Sequence, residues 1–263
     1  MSDSTHAGHR ERIRRRYAEH GADSFADHEL LELLLTYAIL RKDTNALAHA
    51  LLNRFGSLSG VLGAEINQLS LIEGIGPSVA VFLHLQGDLL QRISLSSLSD
   101  SHGRIALSNP LLAARYAVER MVGCGYETVV AVSLNSRKEV IFSDVLQRGS
   151  LTEAQVYPRT VAETALLRRA HSVVLIHNHP SGNPTPSNAD REVTTAVRTA
   201  LESLGIPLVD HMVVGGRFVY SFSADVLLDL SGEDATTLPL SDFPQHAGME
   251  RPPLRKVMEP YSI

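Results

Sequence analysis

Residues 172–190 read SVVLIHNHPSGNPTPSNAD, and the fold turns on them. The opening SVVLI is an apolar, β-branched run of the kind that forms a buried strand. The intervening SGNPTP, residues 181–186, carries the Gly and Pro that let a loop fold back on the strand end. From about Asn188 to Leu204 apolar residues recur at helical spacing. The stretch therefore reads as strand, loop and helix, a junction at which open α/β sheets present their ligands.

Side chains two apart on a strand share a face, so His177 and His179 can put two imidazoles on one ion as the chain leaves the sheet. Ser187 and Asp190 follow in the first turn of the next helix, where a third, oxygen ligand is geometrically reasonable. Three protein ligands of N, N and O type leave one tetrahedral position for water, the arrangement of a catalytic rather than a structural zinc. The same residues also read another way. Ser187-x-x-Asp190 is a capping-box pattern, Thr185-Pro186 would serve as cap and first helical residue, and two histidines at a strand end can be satisfied loop groups. The joint occurrence of both patterns at one junction favours the metal.

Outward from this junction, the texture changes twice. From Phe25 to Ile93 apolar residues recur at helical spacing (Leu30, Leu31, Leu34, Leu35, Ala38; Leu47, Ala50, Leu51, Leu52), with Gly56, Gly60 and Gly63 as punctuation. Residues 1–94 are thus expected to form a small helical domain, and the Ser-rich residues 95–104 a linker. From Pro110 the pattern is mixed. It has a helix over about 111–122, strands in ETVVAVSLN and EVIFSDVLQ, a helix over about 161–170, SVVLI, the helix from Asn188, and strands in IPLVDHMVV and RFVYSFS. Residues 105–230 are expected to form an α+β domain of α/β/α layering. Residues 231–263, rich in Pro and charge without a sustained period, are expected to be a disordered tail.

The 263 residues are 44% hydrophobic and 20% charged, ordinary globular composition. One cysteine, Cys124, excludes an intramolecular disulfide or a multi-cysteine metal cage and fits a reducing compartment. A formal charge of −5 argues against a surface built wholly for nucleic acid. The polar, basic N-terminus carries no visible export signal, and no run reaches the roughly 18 apolar residues of a membrane span. A cytoplasmic protein without membrane attachment is expected.

His177, His179, Pro180, Ser187 and Asp190 match H-x-H-P, six residues, S, two residues, D, and in this they resemble the JAMM (MPN) metalloprotease signature. With the downstream LVDHMVVG and the preceding helical domain, the chain more narrowly resembles the RadC family of bacterial proteins over about residues 10 to 225. The resemblance implies a zinc-hydrolase-type domain of cytidine-deaminase-like α/β/α architecture after a helix-hairpin-helix module. It implies Zn2+ on His177, His179 and Asp190, Ser187 near the developing oxyanion of the attacked carbonyl, and an upstream Glu as general base. Nucleobase deaminases would need H-x-E and P-C-x-x-C, and the helical zincin H-E-x-x-H is absent.

Four carboxylates upstream of His177 compete for the role of base. Glu163 lies in a helix beside Arg159, with Arg168 and Arg169 nearby, and reads as a solvated charge; Glu153 falls in a polar connection; Glu139 follows Arg137 and Lys138 at a strand turn. Glu127 opens the apolar run TVVAVSL, where a rigid strand could fix its carboxylate, and it occupies the position that the JAMM resemblance assigns to the base. Strand alternation turns one of Asp210 and His211 inward; the RadC resemblance implies that this pair lies beside the site, where one could orient a zinc-ligating imidazole, and a satisfied polar pair within the strand is an equal reading.

Residues 71–80, LIEGIGPSVA, resemble the hairpin of a helix-hairpin-helix, whose G-h-G turn can offer backbone N–H groups to a DNA phosphate. Its neighbours Glu73, Ser78, His84 and Asp88 supply little positive charge, so only weak DNA binding is expected. The arginines at 10, 12, 14, 15 and 16 could contact phosphate or form a solvated helix face. The residues point to a metal-dependent hydrolase acting on a peptide or isopeptide-like amide of an unknown protein or peptide substrate. The competing readings are a DNA-binding protein of repair or recombination whose zinc is structural or acts on nucleic acid, and a zinc-binding interaction platform without catalysis.

Overall fold

In the computed structural model of this protein, residues 3–40, 42–149, 158–231, 235–238, 240, 258 and 260–261 are described. They divide into two compact units, residues 1–90 with 122–125 and residues 91–121 with 126–263. Among the described residues no helix is long and apolar enough to cross a membrane.

The first unit is all helical: α1 (Asp3–His20), α2 (Asp27–Ala38), α3 (Asn45–Phe55), α4 (Leu58–Leu62), α5 (Ile66–Leu69) and the start of α6 (Pro77–Ser96). The periodic leucines converge as expected, with Leu31, Leu35, Leu51, Leu69 and Leu83 fully or almost fully buried in one cluster. Between α5 and α6 the chain turns at Gly74, whose φ of 91° suits a residue without Cβ. Ile75 then donates its N–H to the Ile72 carbonyl and buries its side chain in that cluster. Three of the five arginines in α1 have partners inside the unit. Arg10 donates to the Leu40 and Lys42 carbonyls, Arg14 lies over Tyr37, and Arg16 pairs with Glu29 at 2.6 Å while stacking on Phe25.

The second unit holds α7 (Pro110–Arg120), β1 (Thr128–Leu134), β2 (Val140–Arg148), α8 (Pro158–Leu167), β3 (Ser172–Asn178), α9 (Asn188–Glu202), β4 (Leu208–Gly215), β5 (Phe218–Ser221), β6 (Val226–Asp229) and β7 (Thr236–Leu238). The strands form one mixed sheet in the order β2-β1-β3-β4-β5-β6-β7, with β3 and β4 parallel and every other pair antiparallel. β1 and β3 are buried along their whole length, which explains their unbroken apolar composition. Val129, Ala131, Val173 and Leu175 form one cluster with Val161 and Ala165 of α8 and Val197 and Leu201 of α9. The buried α7 contacts β4 and β5. The chain is therefore α+β, a helical part followed by a domain built on a mixed sheet.

The boundaries differ from the sequence expectations in three places. α6 runs on through Ser96, into the stretch expected to be a linker, because ISLS, residues 93–96, continues its helical phase without a breaker. Val122–Gly125 groups with the helical unit, where a Cβ on Gly63 would collide with the Gly123 carbonyl and one on Gly125 would lie 2.9 Å from the Gly60 Cα, so these two positions take glycine. The stretch from 231 onward, expected to be a disordered tail, contains β7 on the sheet edge and Tyr261, whose backbone N–H donates to Ser108. Thr236–Leu238 is too short a run to show a period, so only pairing with β6 reveals it as a strand.

Candidate metal centre

Register assembles the centre. β1 pairs with β3 so that Val129 stands opposite His177, and continuing that antiparallel register by two residues sets Glu127 opposite His179. Parity then puts Glu127, His177 and His179 on the same face, the one that α9 covers. A carboxylate oxygen of Glu127 and one nitrogen of each histidine all lie within 4.8 Å of one another.

The loop after β3 is seated against the end of β4. His179 donates its backbone N–H to the Val214 carbonyl, and its Nδ1 lies 2.7 Å from the Asn183 carbonyl, which orients the ring. A Cβ on Gly215 would lie 2.5 Å from the Gly182 carbonyl oxygen and 2.6 Å from the Pro184 nitrogen. Glycine at 215 is thus what allows the loop to lie on the strand.

α9 then delivers Asp190. Its Oδ1 is 3.2 Å from His177 Nε2 and its Oδ2 is 3.6 Å from His179 Nε2, while the two Nε2 atoms are 3.0 Å apart. Ser187 caps the helix: its hydroxyl and backbone N–H donate to Asp190 Oδ2 at 2.7 and 2.6 Å, and its oxygen accepts from the Asp190 N–H. Capping and the approach of Asp190 to the histidines coexist, because Asp190 uses Oδ2 for the cap and turns Oδ1 to His177. The Ser187 hydroxyl is engaged with Asp190.

Behind His177 lies a second layer. His177 Nδ1 is 2.8 Å from His211 Nε2, His211 Nδ1 is 2.6 Å from Thr194 Oγ1, and Thr194 donates to the Asp190 carbonyl at 2.5 Å. His211 is 2% exposed and stacks on Phe222 with ring centroids 4.9 Å apart. Burial, with His177 adding to it, holds the His211 imidazole well below its ordinary pKa, so the ring is neutral, with one donor and one acceptor nitrogen. The proton order follows. Thr194 spends its own proton on Asp190, so His211 donates from Nδ1 and accepts at Nε2 from His177 Nδ1, and His177 Nε2 faces the centre. Asp210 takes the other side of β4, fully buried. It accepts from the hydroxyls of Ser221, Ser223 and Tyr261 and from the Ser223 N–H, and burial raises its pKa.

Charge is distributed accordingly. Burial opposes ionisation of Asp190, yet the His177 and His179 imidazoles and the Ser187 hydroxyl hold its carboxyl far below the ordinary range. Burial also opposes charge on His179, but the hydrogen bonds to Asp190 and the Asn183 carbonyl raise its pKa.

Of the competing carboxylates, Glu163 pairs with Arg159 at 2.7 Å on an exposed helix face. Glu139 sits half-buried among Arg104, Arg137 and Asn135, more enclosed than a solvated turn residue would be. Glu153 lies outside the described residues. Asn178, which sequence reading passed over between the two histidines, is 5% exposed, accepts from the Thr128 N–H at 2.8 Å and donates to the Tyr126 carbonyl at 3.0 Å. A buried asparagine inside an apolar strand is the signal that could have found it.

The donor chemistry suits zinc. A tetrahedral ion with bonds of about 2.0–2.1 Å holds its ligand atoms about 3.3 Å apart. The His177 and His179 Nε2 atoms are 3.0 Å apart, and the two Asp190 oxygens lie one 3.2 Å from His177 and the other 3.6 Å from His179, each close to that value.

Residues 107–227 match the RadC-like JAB domain and residues 5–81 the UPF0758 N-terminal domain. A UPF0758 protein of Fusobacterium nucleatum subsp. nucleatum is 37% identical over 235 residues, 87% of this chain and 100% of that protein. A UPF0758 protein of Herminiimonas arsenicoxydans is 37% identical over 213 residues, 81% of this chain and 94% of that protein.

Proposed function

Since the chain belongs to the UPF0758 family of RadC-like JAB-domain proteins, we propose that it is a zinc-dependent hydrolase of the JAMM type that cleaves a peptide or isopeptide-like amide. The observation that carries the reading is the triangle of His177 Nε2, His179 Nε2 and Asp190, with the Glu127 carboxylate at its side. His177, His179 and Asp190 would hold the ion. Zinc, when bound, supplies a Lewis acid for the carbonyl and brings the pKa of its water toward about 7.

The chain's own residues do the rest. Glu127 takes a proton from the water that attacks the amide carbon and returns it to the leaving nitrogen as the C–N bond breaks. Ser187, turning its hydroxyl from Asp190, donates to the oxygen on which negative charge develops. His211 and Thr194 keep His177 in one tautomer and orientation. The single cysteine, Cys124, fits a cytoplasmic setting. The occupied arginines of α1 and the sparse charge around Gly74–Gly76 favour a helical unit that recruits a protein over one that grips DNA.

Metal analysis of the purified protein tests the reading. About one zinc per chain is expected in the wild type and none in His177→Ala or Asp190→Ala, with full occupancy in both variants overturning the site. An unbiased comparison of cleaved proteins in cells with and without the protein then identifies the substrate class.

A further inference from the structure

β3 alternates faces across the signature. His177 and His179 point to the α9 face, and the residue between them points to the other. That residue is Asn178, and its amide spans the start of the neighbouring strand: Oδ1 accepts from the Thr128 N–H at 2.8 Å and Nδ2 donates to the Tyr126 carbonyl at 3.0 Å. The two groups it holds flank Glu127 on either side. Glu127 itself precedes the first residue of β1, and its carbonyl accepts from the Gly149 N–H.

We infer that Asn178 is a positioning residue, a bidentate amide clamp that fixes the backbone at 126 and 128 and thereby sets the Glu127 carboxylate beside the two histidines. The assignment rests on the metal-hydrolase reading of the site. A general base needs its carboxylate placed to within a fraction of an ångström, and a residue just ahead of a strand's first residue would otherwise fray. The Asn178 amide bonds to both flanking peptide groups, one as donor and one as acceptor, which no aliphatic or hydroxyl side chain at 178 can reproduce. β3 and the residue that follows it thus supply two imidazoles on one face and the clamp for Glu127 on the other.

The test is a double-mutant cycle on zinc affinity, measured in the full-length protein by competition with a chromogenic chelator. A carboxylate within 4.8 Å of both imidazoles favours a bound cation by its charge, so a clamp that acts through Glu127 has nothing to act on once that charge is gone. Asn178→Ala is expected to weaken zinc binding about ten-fold in the wild-type background and less than two-fold in Glu127→Gln. Amide exchange at Thr128 should accelerate in both backgrounds, reporting that the clamp has opened. Equal losses in the two backgrounds, or no loss in either, overturn the assignment while leaving the metal site standing. A wild-type protein that binds no zinc overturns the underlying reading and the assignment with it. Asn178→Thr, which loses both bonds but favours the strand, repeats the cycle if the alanine variant does not fold.

Discussion

His211 Nε2 accepts from His177 Nδ1 at 2.8 Å across the parallel β3–β4 pair. The relationship gives a buried neutral imidazole one task, to fix the tautomer of another. Its removal should therefore be felt at the metal more than in the fold. His211→Ala is expected to lower zinc affinity by about 10- to 100-fold in a chelator competition, and Thr194→Val, which breaks the next link, by a smaller factor in the same direction. Unchanged affinity in both would mean that the chain of donors orients nothing.

The metal-free centre should carry a pH signature. The fold raises the pKa of His179, so the stabilisation from its charged form is complete below about pH 6.5, the ordinary imidazole value, and is lost as pH rises through the folded value. It lowers that of Asp190, whose contribution is present above about pH 3.9 and is lost as pH falls through the folded value. The pair is strongest between about pH 4 and pH 6.5. Urea unfolding in chelator should show the stability gap between wild type and His179→Ala widest in that window and narrowing toward pH 8. A gap constant from pH 4 to 8 would contradict the assignment.

Glu127→Gln is expected to keep the fold and to purify with about one zinc per chain, because the three ligands remain. Turnover of any substrate that the wild type cleaves should fall by at least about 10²-fold, as removal of a general base requires. Activity retained in this variant would move the role to another group.

Gly215→Ala places a methyl 2.5 Å from the Gly182 carbonyl oxygen and 2.6 Å from the Pro184 nitrogen, both backbone atoms of the loop that carries His179. Displacement of that loop should cost about 1–3 kcal/mol in denaturant unfolding and loosen zinc binding together with it. Loss of stability alone would show that the loop adjusts without moving the ligand.

Asp210 is fully buried and accepts from three hydroxyls, including that of Tyr261 at 3.0 Å, and from the backbone N–H groups of His211 and Ser223. Tyr261→Phe removes one donor of several and should cost about 1 kcal/mol, whereas Asp210→Ala strands the remaining donors and should cost about 1–3 kcal/mol. Thermal melts of the two variants decide between this ordering and its reverse.

The elements around the centre were legible because each carries a local period. TVVAVSL and SVVLIHN are unbroken apolar runs, as strands covered on both faces must be, and the leucines of α2, α3 and α6 mark a helical core by spacing alone. His177 and His179 were paired by strand alternation, and Ser187 and Asp190 were placed in the first turn of α9 by the capping pattern. Those are relations between residues at most three apart, and local geometry decides them. Glu127 stands fifty residues from His177, His211 stands thirty-four, and Tyr261 fifty-one from Asp210. Their meetings depend on strand order and register, in which β1 and β4 both flank β3, and no local pattern encodes that neighbourhood. Asn178 shows the division within one residue. Its identity is plain in the sequence, but its partners at 126 and 128 exist only once β1 lies antiparallel to β3, because a polar side chain finds its hydrogen bonds in tertiary space.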